Sequence, residues 1–91
     1  MTFELTEKET QAALIFVKSC LDEMGGKRPS DLEEDPFTWV ALEDLLGTFS
    51  RFQAAGIMSS LGAKGVIYEH EENEWALAEA AWRWLDTIWD A

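Results

Sequence analysis

Apolar residues recur at every third or fourth position in the first quarter of the chain, which is the spacing of an amphipathic helix. The repeat begins at Ala13 and ends at Met24, where a pair of glycines follows as a stop signal. Thr6 and Glu9 have the spacing of a capping box, in which each side chain accepts a backbone N–H at the helix start. The pattern therefore predicts a first helix over residues 7 to 24.

Two further helices are predicted after a polar connection over residues 27 to 36. The first covers residues 38 to 46, where apolar positions again follow a helical repeat up to a glycine. The second covers residues 50 to 64, because Ser50 and Gln53 form another capping box. The buried face of this helix is predicted to be Ala54, Ile57, Met58 and Leu61, and its outward face Phe52, Ala55, Gly56, Ser59 and Ala63.

After Gly65 the helical repeat gives way to β-branched and aromatic residues, which predicts a β-hairpin over residues 66 to 77. In its second strand Trp75 and Leu77 share one face, which we expect to turn toward the core. Helical spacing then resumes and predicts a last helix over residues 78 to 90. The order helix-helix-helix-strand-strand-helix makes a mainly α fold with a small β-hairpin, in the α+β class. With 91 residues the chain forms a single domain.

Acidic residues are distributed unevenly along the chain. The formal net charge is -11, from 18 Asp and Glu against 7 Lys and Arg, yet residues 45 to 68 contain no acid. Arg51 and Lys64 give that segment a charge of +2, and subtracting it from -11 leaves -13 for the rest. A surface this acidic repels phosphates and anionic lipid and attracts basic proteins. Solubility alone is the alternative explanation.

The sequence offers little material for catalysis or ligand binding. It contains one Cys and one His, from which no nucleophile, base and orienting group can be assembled. We therefore expect no enzymatic activity, no cofactor and no metal site. Cys20 has no partner for an intramolecular disulfide, and no apolar run reaches the roughly 20 residues that span a bilayer. These features are typical of a soluble cytoplasmic protein.

The stretch from Leu45 to Ile67 combines a helix end, a turn, a helix with a polar start and an exit of sequence Leu-Gly-Ala-Lys-Gly-Val-Ile. This stretch, and the order of elements from Thr6 to Trp89, resembles the winged helix-turn-helix superfamily, in the form of small bacterial and phage regulators. The resemblance implies that residues 50 to 64 are a recognition helix for a DNA major groove and that the hairpin is the wing. It specifies fold better than function.

The hairpin departs from the DNA-binding pattern of that superfamily. It carries Glu69, Glu71, Glu72 and Glu74 where a DNA-binding wing would offer Arg or Lys, so it would repel phosphates. Two cations on the recognition-type helix neutralise about two phosphates, too few to hold a monomer on DNA at physiological salt. The candidate DNA-binding residues of that helix are Arg51, Gln53, Ser59, Ser60 and Lys64.

Three function hypotheses follow. In the first, the chain is a non-enzymatic acidic interaction module that binds a basic protein surface. A sharper version is a phage or mobile-element inhibitor of a host nucleic-acid-handling complex, acting as DNA-mimic and anti-CRISPR proteins do. In the second, it is a sequence-specific DNA-binding transcriptional regulator that uses residues 50 to 64. In the third, it is a dimerising subunit of a larger assembly. Since the terminal helices of winged-helix proteins often pair two subunits, the resemblance makes Arg83 and Trp84 candidates for a homodimer interface. The partner-binding residues of the first hypothesis are Phe52, Ala55, Gly56, Ser59, Glu69, Glu71, Glu72 and Glu74.

Several positions have two interpretations. Phe52 either packs sideways against the second helix, which we favour, or stands exposed as an anchor for a protein partner. Gly56 costs the helix about 0.8 to 1 kcal/mol relative to Ala, and it either permits a close contact with the first helix or leaves room for a partner. Trp84 lies off the apolar stripe of the last helix, and its alternative to the dimer interface is partial burial against the first helix. The tryptophans expected in the core are Trp39, Trp75, Trp82 and Trp89.

Overall fold

A computed structural model describes residues 3–34, 38–72 and 74–89 of the chain. Within these ranges the chain forms three α-helices, two short 3-10 helices and a three-stranded antiparallel sheet. The fold is therefore mainly helical with a small sheet, in the α+β class expected from the sequence. Asn73 and Asp90, which belong to the predicted hairpin and last helix, lie outside the described residues.

Helix α1 (Glu7–Met24) covers the predicted range because both of its ends carry the expected signals. At its start, Thr6 N donates to Glu9 Oε1 (2.8 Å) and Glu9 N donates to Thr6 Oγ1 (3.2 Å), which completes the capping box. At its end, Gly25 adopts a left-handed conformation with a φ of 78°. The apolar residues buried on its inner face are Ala12, Ala13, Phe16, Val17, Cys20 and Leu21.

The polar connection after α1 is more ordered than its composition suggests. It contains a 3-10 helix (Pro29–Glu34), in which Leu32 is buried in the core. Asp31 stabilises the turn between α1 and this 3-10 helix, because its carboxylate accepts hydrogen bonds from Lys27 N (2.7 Å) and Arg28 N (3.2 Å). These backbone hydrogen bonds, first from Lys27 and then from Arg28, lower the pKa of Asp31.

The helix predicted over residues 38 to 46 is wrong. The chain there forms strand β1 (Trp39–Val40) and then a second 3-10 helix (Leu42–Leu45). Thr38 ties the segment to a distant strand, because its hydroxyl donates to Leu77 O (2.9 Å) and its carbonyl accepts from Leu77 N (2.9 Å). Strand preference depends on such tertiary context, and here nonlocal pairing overrides the local helical repeat.

Helix α2 (Arg51–Ala63) lies within the predicted range of 50 to 64. Its capping box is complete, since Gln53 N donates to Ser50 Oγ (3.1 Å) and Ser50 N donates to Gln53 Oε1 (3.2 Å). Gly65, with a φ of 80°, then turns the chain toward the sheet. The predicted inner face is confirmed, because the buried residues of this helix are Ala54, Ile57, Met58 and Leu61.

Strands β2 (Ile67–Glu71) and β3 (Glu74–Leu77) form the hairpin, within the predicted range of 66 to 77. Strand β3 is central, and the sheet has the order β1-β3-β2. Ala76 of β3 pairs with Trp39 on one side and with Tyr68 on the other. Directly paired residues point to the same face, so these three share the outer face. The face directed toward the helices carries Val40, Ile67, Glu69, Trp75 and Leu77.

Helix α3 (Glu79–Thr87) is shorter than the predicted segment of 78 to 90, since the helix has ended by Ile88. Arg28, just before the first 3-10 helix (Pro29–Glu34), binds α3. Its Nε and Nη2 donate to the two carboxylate oxygens of Asp86 (2.9 and 3.1 Å). The hydrogen bond from Arg28 lowers the pKa of Asp86. This bidentate pair is partly exposed, so screening by solvent limits its contribution to stability.

The tryptophans do not all enter the core. Trp82 is buried as expected, and Trp75 and Trp89 are partly buried against the core. Trp39 contradicts the prediction, because pairing in β1 turns its side chain to the outer face of the sheet and leaves it 38% exposed. Trp84 is partly buried, with its ring centroid 5.6 Å from that of Phe3 just before α1.

Candidate functional site

The outward face of α2 is exposed. Phe52, at the start of the helix, is 89% exposed, so the interpretation that its ring packs sideways against the preceding segment is wrong. The other predicted residues of this face are also exposed. Helix α2 therefore presents an uncharged surface with one accessible aromatic ring. The outward face consists of Phe52, Ala55, Gly56, Ser59 and Ala63.

Two glycines of α2 have different surroundings. A Cβ placed on Gly56 would meet nothing within 4 Å, so the alternative of a close contact with the first helix is also wrong. A Cβ on Gly62 would lie 3.2 Å from Cζ3 of Trp75, so that glycine makes room for the indole ring. Packing against Trp75 thus explains why residue 62 is a glycine. Within the described residues, no internal contact requires a glycine at position 56, where it weakens the helix.

Lys64, a candidate DNA-binding residue, is engaged inside the molecule. Its Nζ lies 2.7 Å from Glu9 Oε1 and also donates to Glu4 O (3.0 Å). The hydroxyl of Ser60, another DNA-binding candidate, donates to the second carboxylate oxygen of Glu9. Glu9 itself is only 4% exposed. The three side chains join the start of α1 to the end of α2, and we call them the Glu9 network.

The Glu9 network keeps its buried carboxylate ionised. Burial alone would raise the pKa of Glu9, but hydrogen bonds from Lys64, Ser60 and Thr6 together outweigh it and lower the pKa from 4.5 to about 2. A buried carboxylate without such donors would be strongly destabilising. The charge on Lys64 therefore serves the fold.

The remaining DNA-binding candidates do not converge on one site. Gln53 is occupied by the capping box of α2. Ser59 is exposed on the outward face. Arg51 is exposed at the helix start, and among the described residues it has no hydrogen-bonded or ion-paired partner. Arg51 is thus the cation of α2 that is available to an external ligand.

The hairpin carries its carboxylates on the surface. Glu69, Glu71, Glu72 and Glu74 are all exposed. Glu71 pairs directly with Glu74 across the strands, after a register irregularity between Glu69 and Glu71. Like charges directly opposite each other destabilise a strand pair. The fold therefore gains nothing from this acidic pair.

A groove of about 830 Å³ separates α2 from the hairpin. One wall includes Ala55 and Ser59 of the outward face of α2, and Trp75 and Tyr68 line it from the hairpin. Glu69 is also a lining residue, so the groove is apolar with an acidic component. Residues predicted to bind a partner on the outward face of α2 and on the hairpin therefore line the same groove.

An aromatic cluster on the outer face of the sheet was missed by the sequence analysis. The rings of Trp39 and His70 are 5.4 Å apart between centroids, and those of Tyr68 and His70 are 6.4 Å apart. We call these three residues the aromatic face. In the sequence, the aromatic face is indicated by Tyr68 and His70, which stand two positions apart in the predicted hairpin. Trp39 could not be added without knowing that β1 pairs with β3.

Comparison of the chain with protein families, curated proteins and solved structures gave no match. None of the helices in the described ranges has the length and apolarity needed to cross a bilayer. Nor do the described residues include a group of three or more His, Cys, Asp or Glu placed to hold a metal ion.

The predicted dimer residues have partners within the chain. Arg83 Nη2 donates to Glu79 (3.1 Å) and Glu33 (3.4 Å), and its guanidinium lies 4.8 Å from the centroid of the Trp82 ring. Trp84 packs near Phe3, as described above. Both residues therefore make contacts within one chain, and the homodimer interface stays a prediction.

Proposed function

We propose that the chain is a non-enzymatic acidic interaction module on a winged-helix scaffold. It binds a basic surface of a protein or protein complex through two neighbouring regions, the outward face of α2 and the carboxylates of the hairpin. The scaffold proposal is supported by the order of α2, hairpin and last helix, which is the order that the resemblance implies. The short 3-10 helix (Leu42–Leu45) stands where a second helix was expected.

The main observation behind this proposal is that the charged residues around α2 differ in role: Lys64 is paired within the fold, whereas the hairpin carboxylates are exposed. Lys64 is paired with buried Glu9, so one of the two cations of the acid-free segment is already committed to the fold. The hairpin beside it keeps four carboxylates exposed, and a phosphate backbone would meet net repulsion there. A basic protein would instead find complementary charge, which steers association and sets specificity.

Phe52 supplies the apolar part of the proposed surface. A side chain that is 89% exposed contributes little to the fold, whereas aromatic anchors are enriched among the residues that dominate protein interfaces. The open space over Gly56 lets a partner backbone approach α2 closely. In the sharper form of the proposal, the partner is a host complex whose nucleic-acid site is occupied by this acidic surface.

The proposal is tested by crosslinking capture from cells that produce the protein. Wild type is compared with a hairpin double variant, Glu71→Lys and Glu72→Lys, and with a control, Asp22→Lys and Glu23→Lys, on the exposed side of α1. Both variants change the net charge equally. We expect wild type and control to recover the same basic protein and the hairpin variant to lose it. Equal recovery by both variants would overturn the proposed use of the hairpin.

DNA binding by α2 is the alternative function, favoured by the exposure of Arg51 and Ser59. It requires the duplex to approach an acid-free helix while avoiding the hairpin carboxylates. In the capture experiment this alternative predicts DNA among the recovered material. It also predicts that the hairpin variant recovers more DNA than wild type, because the repulsion has been removed.

A further inference from the structure

The aromatic face leaves much of its ring surface open to solvent. Trp39 is 38% and Tyr68 is 47% exposed, and His70 lies between them in space, within ring-contact distance of both. Ala76 of β3 lies between Trp39 and Tyr68 in the sheet and is buried. Its small side chain separates Trp39 and Tyr68, which stand on the two strands on either side of β3, about 10 Å apart, twice the usual strand spacing.

Two carboxylates share this face with the rings. Glu74 precedes Ala76 by two residues in the same strand, so both side chains point to the outer face. Glu71 pairs directly with Glu74 and therefore points to the same side. Aromatic rings and exposed carboxylates are thus adjacent on one surface.

We propose that this face binds an arginine side chain of a protein partner. The guanidinium stacks on the exposed ring of Tyr68, beside His70, and its N–H groups donate to Glu71 and Glu74. The inference rests on the proposed function, because it takes the partner to be a basic protein. It adds the aromatic face as a second contact surface, which shares Tyr68 with the groove, and it names the side chain that this surface recognises.

Arginine fits the site better than other cations. A guanidinium is planar and weakly hydrated, stacks on aromatic faces, and offers a fork of donors to carboxylates. An ammonium group is compact and more strongly hydrated, so it loses more on leaving water. Nucleic-acid bases also stack on aromatic side chains, but such sites combine the rings with a positively charged groove for the backbone. Here the neighbouring charges, Glu71 and Glu74, are negative.

The test is an NMR titration of the labelled full chain at low salt with the peptide acetyl-Gly-Arg-Gly-amide. Its matched control replaces arginine by citrulline, which has a similar shape and no charge. We expect the indole signal of Trp39 and the amide signals of Tyr68, His70 and Glu71 to shift with the arginine peptide and to remain in place with citrulline. Equal shifts with both peptides would overturn the proposal.

Variants assign the binding to the rings and carboxylates. Tyr68→Leu should weaken peptide binding about 2- to 5-fold, the size expected for one exposed cation–π contact, whereas Tyr68→Phe should bind like wild type. The double variant Glu71→Gln and Glu74→Gln should weaken it about 2-fold or more. Ile88→Ala, which removes an exposed apolar side chain after α3, is the control and should change nothing. Unchanged binding by Tyr68→Leu, or equal weakening by Ile88→Ala, would contradict the proposed site.

Two further outcomes separate this site from the proposed function. If Tyr68→Leu weakens peptide binding as predicted while the chain captures no basic protein, the arginine site stands and the interaction module fails. If a basic protein is captured equally by wild type and Tyr68→Leu, the module stands and the arginine site is overturned. A third arm uses a single-stranded oligothymidylate as ligand. Shifts of the same signals with this probe, and none with the arginine peptide, would assign the face to nucleic acid.

Discussion

Charged side chains have opposite effects on the stability of the fold at the end of helix α2 and in the hairpin that follows it. Lys64, at the end of α2, is paired with a buried carboxylate that also accepts from Ser60. In the hairpin, Glu71 and Glu74 are exposed and directly opposite each other. The first arrangement stabilises the fold, whereas the second opposes it. The comparison teaches that the charge of Lys64 is used within the fold, whereas the exposed Glu71–Glu74 pair adds nothing to the stability of the fold.

The largest expected effect comes from removing the centre of the Glu9 network. Glu9→Ala should destabilise the protein by about 3 to 4 kcal/mol, since it leaves Lys64 and Ser60 without their acceptor and removes half of the capping box. Urea denaturation measures the change. Glu7→Ala, an exposed acid of the same turn, should change stability by about 0.5 kcal/mol or less. Equal losses in the two variants would contradict a structural role for Glu9.

The same network predicts a pH dependence. The pKa of Glu9 is lowered from 4.5 to about 2 on folding, so its contribution is complete above pH 4.5 and is lost as the pH falls toward 2. The contribution is on the order of 3 kcal/mol. The difference in unfolding free energy between wild type and Glu9→Gln should therefore shrink across that interval. A difference that stays constant from pH 6 to pH 2 would show that the carboxylate is not held ionised.

A smaller effect should separate the two glycines of α2. Gly56→Ala should stabilise the protein by about 0.8 to 1 kcal/mol, because helix propensity improves and the new Cβ meets nothing within 4 Å. Gly62→Ala is the matched control, and contact with Trp75 at 3.2 Å should cancel its gain. Thermal unfolding compares the pair. If Gly56→Ala fails to stabilise, the outward face of α2 is more constrained than its geometry indicates.

The smallest expected effect lies in the hairpin. Glu71→Lys converts a like-charge pair into an opposite-charge pair with Glu74 and should stabilise the protein by about 0.5 kcal/mol at low salt. Any lysine reduces repulsion in a chain of net charge -11, so Asp22→Lys on α1 supplies the control. The hairpin variant should gain more than the control, and the excess should fall as salt rises. Equal gains would mean that the cross-strand pair carries no specific cost.

Local signals in the sequence predicted much of the fold. The capping boxes at Thr6 and Ser50 identified the starts of α1 and α2, because both partners of each box lie within one turn. The inner face of α2 followed from helical spacing alone. The failure at residues 38 to 46 has a nonlocal cause, since β1 exists only through its pairing with β3.

The candidate surface was less predictable than the fold. The outward face of α2 and the acidic hairpin could be named from their residues, but the engagement of Lys64 could not. Glu9 and Lys64 are separated by 55 positions, and exposed lysines give no sequence signal of a buried partner. The aromatic face was missed for the same reason, because Trp39 meets His70 only across the assembled sheet.

The central claim is that α2 and the hairpin form a surface for protein and not for DNA, and fluorescence anisotropy with labelled duplex DNA at low salt tests it most directly. Low salt is the condition that most favours electrostatic binding. A mixed-sequence duplex is titrated with wild type and with Arg51→Ala. We predict no saturable binding by either protein. Tight, saturable binding by wild type that Arg51→Ala weakens would contradict the account.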